Sequence, residues 1–155
     1  MRLQGWVRHR WRRRCDDERG SAVVEFLGVS LVLLIPLVYL IVAMAQLQAA
    51  SFAAEGAARE AGRLIVRAAT FDEGVAAAQL GVELAFADQG LSVDGASVLQ
   101  IGCSATPCLT PGEYVVITVQ VDVALPLAPD FLPASIPTTA LVSAQAMAPV
   151  GEFRD

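Results

Sequence analysis

The sequence predicts an α+β protein, in which a long N-terminal transmembrane helix extends into a small ectodomain with a second helix and a short antiparallel sheet. Three observations predict it. Residues 26–45 read FLGVSLVLLIPLVYLIVAMA without a charge, and as a helix they rise about 30 Å, enough to cross a hydrocarbon core. Alanine and arginine then recur at helical spacing as far as Ala69. Beyond Gly90 the apolar period changes to two, most plainly over Glu113 to Leu125.

Four segments follow from these patterns: a basic leader over 1–20, the transmembrane helix over 21–50, a helical stem and second helix over 51–90, and a β-rich region over 91–155. With 155 residues there is room for one membrane segment and one small domain, whose core needs help from neighbours or a disulfide. The net charge of −5 hides an asymmetry. Residues 1–20 carry seven Arg and three acids, a balance of +4, whereas the remainder carries four Arg and thirteen acids, a balance of −9. Arginines beside a span stay on the cytoplasmic side, so the N-terminus is expected inside and Ser51 onward in the extracytoplasmic space.

The leader has no apolar period and reads as a solvated arm. Its Arg8-His9-Arg10-Trp11 run, with Trp6, has the composition of a membrane flank with interfacial tryptophan, so no nucleic-acid partner is expected. The apolar run is too long for the core of a cleaved secretory signal. Cys15, behind three arginines, is expected as a reduced cytoplasmic thiol. Glu25 stands at the head of the run, where burying an acid near the bilayer centre costs roughly 2.5–3.5 kcal/mol. In mid-span, Pro36 removes one helical hydrogen bond.

From Gln46 to Ala69 the helix should continue. Arg59, Arg63 and Arg67 form a basic stripe, with Glu55 and Glu60 placed to pair within the helix. The plainer reading of that stripe is a solvated face; the other is a contact face for an acidic partner or lipid headgroups. Thr70-Phe-Asp-Glu73 is a capping box opening a second helix, Asp72 to Ala87, with Val75, Leu80, Leu84 and Phe86 expected inward. Asp88-Gln89-Gly90 should end it with a left-handed glycine.

A short strand is expected over Ser97 to Gly102 and a longer one over Glu113 to Leu125, with Val115, Ile117, Val119, Val121, Val123 and Leu125 on one face. Thr118, Gln120 and Asp122 take the other. Between the strands Cys103 and Cys108 close a short loop in an oxidising space, and read as a disulfide stapling a hairpin. They do not read as a metal site, because His9 is the only histidine and lies in the leader. Pro126 to Pro137 is a Pro-rich connection, and Thr138 to Met147 should return as a final strand.

Enzymatic chemistry is not expected. The chain has no Lys, and no His outside the leader, so neither a P-loop nor a His-based triad can be assembled in the ectodomain. A carboxylate-only hydrolase would have to draw on Glu113, Asp122 and Asp130. Catalytic residues, a cofactor, a metal and a small-molecule substrate are all expected to be absent.

The stretch Arg19-Gly-Ser-Ala-Val-Val-Glu-Phe26, a glycine five residues before a glutamate that heads a span, resembles the type IV pilin superfamily. With the alanine-rich Ala53–Arg63 and the later Leu125-Pro-Leu, it is most similar to TadE-like minor pseudopilins of tight-adherence (Flp) pilus systems. Asp16, Asp17 and Glu18 depart from the positive leader of that pattern. The resemblance implies that a prepilin peptidase cuts after Gly20, that Ser21 becomes the first residue, and that Glu25 docks against a neighbouring subunit's N-terminal amine. It implies as partners the peptidase, other pilins and the assembly platform, in a single-pass membrane protein that can enter a surface pilus. The alternative is an unprocessed, membrane-anchored extracytoplasmic binding module, which needs neither Gly20 nor Glu25.

Overall fold

The computed structural model describes the backbone of residues 4–126 and 138–153, with side chains from residue 21 onward. Its elements run α1 (Gln4–Arg67), α2 (Phe71–Ala87), α3 (Gly95–Val98), β1 (Leu99–Cys103), β2 (Tyr114–Ala124) and β3 (Thr139–Pro149). The α+β class predicted above is the one observed. Contacts divide the chain into two compact units, Met1–Val42 and Ala43–Asp155.

The first unit is the N-terminal part of α1. Its helix begins at Gln4, so the leader, expected as an arm without regular structure, is helical. Adding a residue to a formed helix costs far less than nucleating a new one, and the leader is rich in arginine, a good helix former. The helix also runs unbroken through Pro36. From Val23 to Ile41 the large apolar side chains are exposed, Phe26 by 70% and Val32 by 72%. Such a helix is long and apolar enough to cross a membrane.

The second unit holds the core. Ala50, Ala54, Ala57, Ala58, Ala61 and Ile65 give α1 an almost fully buried stripe of mostly small residues. α2 contributes Ala78, Val82 and Phe86, and β2 contributes Val115, Ile117, Val119, Val121 and Val123 to the same cluster. The strict alternation of β2, read from the sequence, is thus the alternation of its burial.

α2 is opened by Thr70, whose Oγ1 accepts from the Glu73 backbone N–H at 3.3 Å. The returning half of the capping box is missing, since the Glu73 carboxylate makes no bond among the described residues. At the other end Gly90 has φ +73°, the left-handed conformation expected of it.

The buried stripe of α2 differs from the expected one. Gly74, Ala78, Val82 and Phe86 are buried and Val75 is half-buried, but Leu80 and Leu84 are 56% and 57% exposed. The cause is close approach: a Cβ on Gly74 would stand 2.8 Å from Ile65 Cα. α2 therefore brings Gly74 against α1, which leaves its leucines on the opposite side.

The first strand begins two residues later than expected, at Leu99, because Gly95–Val98 forms one helical turn. Asp94 caps this turn, its Oδ1 accepting from Ala96 N–H at 3.3 Å, and Gly95 N–H donates to Glu83 Oε1 of α2 at 3.1 Å. The three strands form one antiparallel sheet in the order β1-β2-β3. Ile101 pairs with Ile117, and Ile117 with Ala146. β3 extends to Pro149, past the expected end at Met147. Most of the Pro-rich connection, including Asp130, lies outside the described residues.

Candidate functional site

Two regions hold the residues singled out above. In the first, α1 carries Gly20, Ser21 and Glu25 on consecutive turns of one helix. Ser21 and Glu25 are four residues apart, which puts their Cβ atoms about 6 Å from one another on one face. Glu25 is exposed and is the only charged residue between Ser21 and Ala54. The Gly20–Ser21 peptide itself lies in helical backbone. A protease acting there has to unwind a turn, and glycine lowers that barrier by roughly 1 kcal/mol relative to alanine.

The second region is the β1–β2 hairpin. Cys103, the last residue of β1, forms a disulfide with Cys108, their Cα atoms 5.2 Å apart. The loop behind it is fastened by Ser104 and Glu113. Ser104 Oγ lies 2.7 Å from Glu113 Oε2 as donor and accepts from Tyr114 N–H at 2.9 Å. Thr110 Oγ1 donates to the Pro107 carbonyl at 2.6 Å. Gly112, at φ +79°, turns the chain into β2, and its N–H donates to the Val150 carbonyl at 3.3 Å.

Of the acids named for hydrolytic chemistry, Glu113 and Asp122 are not brought together, and Asp130 lies outside the described residues. Glu113 is engaged with Ser104, while Asp122 stands on the exposed face of β2 opposite Leu141. Nine strand positions separate them, about 30 Å, whereas paired carboxylates in glycoside hydrolysis stand about 5–10 Å apart.

On the α1 stripe, Arg59 pairs with Glu55 at 3.3 Å and Arg63 with Glu60 at 3.4 Å, all four side chains more than half exposed. At that exposure such pairs contribute at most about 0.5 kcal/mol each. What the sequence did not show is that Leu80 and Leu84 of α2 are exposed, on the face opposite its buried stripe. The leucine spacing was visible, but which face of α2 is buried depends on the fit against α1.

Comparison of the chain with family models, with curated proteins and with solved structures gives no match in any of the three.

Proposed function

We propose that the chain is a TadE-like minor pilin or pseudopilin, a structural or assembly component of a tight-adherence (Flp) pilus or a related secretion machine, matured by a prepilin peptidase after Gly20. The observation that carries this reading is Glu25, the single charge in an apolar helix of spanning length, four residues behind a serine that follows a glycine. The seven arginines of residues 1–20 keep the leader cytoplasmic and the second unit extracytoplasmic.

Cleavage after Gly20 turns an interior stretch of helix into an N-terminus. It creates an ammonium group at Ser21 and frees the first backbone N–H groups of the shortened helix. That end carries positive charge from both the amine and the helix dipole, so a carboxylate is stabilised there. Glu25 of one copy placed against the Ser21 amine of a neighbour gains several kcal/mol in a poorly solvated site, which offsets its desolvation. An acid that opposes insertion of a lone helix thereby favours its association. The work of the protein is then assembly with other pilins and the platform, and the disulfide-fastened hairpin belongs to the surface it presents.

The test is the intact mass and N-terminal sequence of the protein recovered from its native membrane, beside a Gly20→Leu control. A chain beginning at Ser21, replaced by the full-length chain in the control, supports the reading. A chain still beginning at Met1, in cells that mature their other pilins, refutes it and leaves the unprocessed anchored module.

A further inference from the structure

The exposed faces of α1 and α2 are complementary to each other. On α1, Phe52 (72% exposed), Gly56, Arg59 and Arg63 recur at intervals of four, three and four residues on the face opposite the buried alanines. On α2, Leu84, Leu80, Ala77 and Glu73, taken in that order, recur at the same intervals on the face opposite Ala78, Val82 and Phe86. Each is a seam of the four-and-three kind by which helices pack in bundles.

Laid antiparallel, the two seams match position by position. Phe52 meets Leu84; Gly56 meets Leu80; the stem of Arg59 meets Ala77; Arg63 meets Glu73. Gly56 offers a seat for the leucine, since a Cβ built there has nothing within 4 Å. Charge follows the same register. Arg67 at the end of α1 and Asp72 and Glu73 at the start of α2 are exposed, with no ion-pair partner among the described residues. In this register the basic end of α1 lies beside the acidic end of α2. Two α2 seams packed on each other would instead leave Glu73 near a second acid in either direction, Glu73 or Asp88.

We infer that the α2 seam of one copy docks antiparallel on the α1 seam of a second copy of this chain. The contact joins two different faces, so a pair retains one free face of each kind, one on each copy, and the association continues as a row unless it closes into a ring. Nothing in it depends on leader cleavage, on Glu25 or on the pilin reading.

The test uses the full-length chain in detergent with Cys15→Ser. Chains carrying Phe52→Cys are mixed with chains carrying Leu84→Cys under mild oxidation. The expected result is a disulfide-linked dimer in the mixture and none from either variant alone. A second pair of variants tests charge: Arg63→Glu/Arg67→Glu and Asp72→Arg/Glu73→Arg should each self-associate about tenfold more weakly than the parent, and their mixture should recover association, with the two variants alternating along the row. Recovery on mixing also shows that both variants fold. Gly56→Gln should weaken association similarly without lowering the unfolding temperature.

Three outcomes overturn the inference: a monomeric parent, a homodimer from Leu84→Cys alone, or association that ignores the charge exchange. The second would mean that α2 pairs with itself, and the third that the apolar helix alone holds copies together.

Discussion

Gly62 of α1 lies against Ala148 of β3 so closely that a Cβ on Gly62 would stand 2.9 Å from the Ala148 Cβ and 3.5 Å from Ile117 Cγ1. This contact sets how near the sheet comes to the helix, because neither alanine nor a strand backbone can move aside as a long side chain does.

Gly62→Ala therefore sets two effects against each other. Alanine gains about 1 kcal/mol of helix propensity, but overpacking a fitted core costs typically about 1–3 kcal/mol. With a small, backbone-held neighbour the second effect wins, and a net loss of about 1 kcal/mol is expected in thermal unfolding of the full chain. Ala148→Gly in the same chain should recover part of it. The control is Gly56→Ala, where the new methyl meets nothing and stability should rise by up to about 1 kcal/mol.

The two sides of α2 should respond oppositely to truncation. Phe86 is fully buried, and Phe86→Ala should cost about 3–5 kcal/mol. Leu84 is 57% exposed, so Leu84→Ala in dilute detergent should change stability by no more than about 0.5 kcal/mol. A large loss for Leu84→Ala would mean that the helix is turned as the leucine spacing first suggested.

That reversal marks where the sequence ceases to be legible. Thr70 and Gly90 are local signals, a hydroxyl within reach of one N–H and a backbone angle that favours glycine, and they bound α2 correctly. The alternation of β2 is equally local, since every second residue must face the helices. The face of α2 is not local. Hydrophobicity favours burying Leu80 and Leu84, but Gly74 admits α1 at a distance a leucine would forbid. The turn at Gly95–Val98 depends in the same way on Glu83, twelve residues back. The Cys103–Cys108 pair was legible because it rests on residues within a few positions of each other. The exposed leucine face of α2 was not, because it is defined only once the buried face is known.

Thr70→Ala removes the acceptor for the Glu73 N–H and should cost about 1 kcal/mol in unfolding. Thr70→Ser, which keeps an oxygen in place, should lose much less. Equal losses from both would show that the methyl rather than the hydroxyl of Thr70 matters.

The Cys103–Cys108 bond closes a loop of sequence separation 5, and by loop-closure entropy it contributes about 2 kcal/mol. Cys103→Ser/Cys108→Ser should lower stability by that amount while leaving the β2–β3 ladder intact. Backbone amide exchange should then quicken in the 104–113 loop and remain slow from Val115 to Val121, whose partners lie on β3. Loss of protection along the whole of β2 would make the disulfide a condition for the sheet rather than a fastening of its hairpin.

Glu25 gives the most direct test of the assembly reading. Glu25→Gln removes the charge while keeping nearly the same shape, and a neutral amide is easier to hold in an apolar helix than an unpartnered carboxylate. A lone anchored chain should insert at least as well as before, and a peptidase that recognises Gly20 should still expose Ser21. If Glu25 docks on a neighbour's amine, the charge is missed only on association. Membranes of the variant should then contain matured protein in normal amount, while high-mass assemblies trapped by cross-linking fall by about tenfold or more, the loss expected when one partner of a desolvated pair is removed. Assemblies undiminished in the variant would remove Glu25 from the contact, even with cleavage after Gly20 intact, because maturation and docking make separate demands on the same helix.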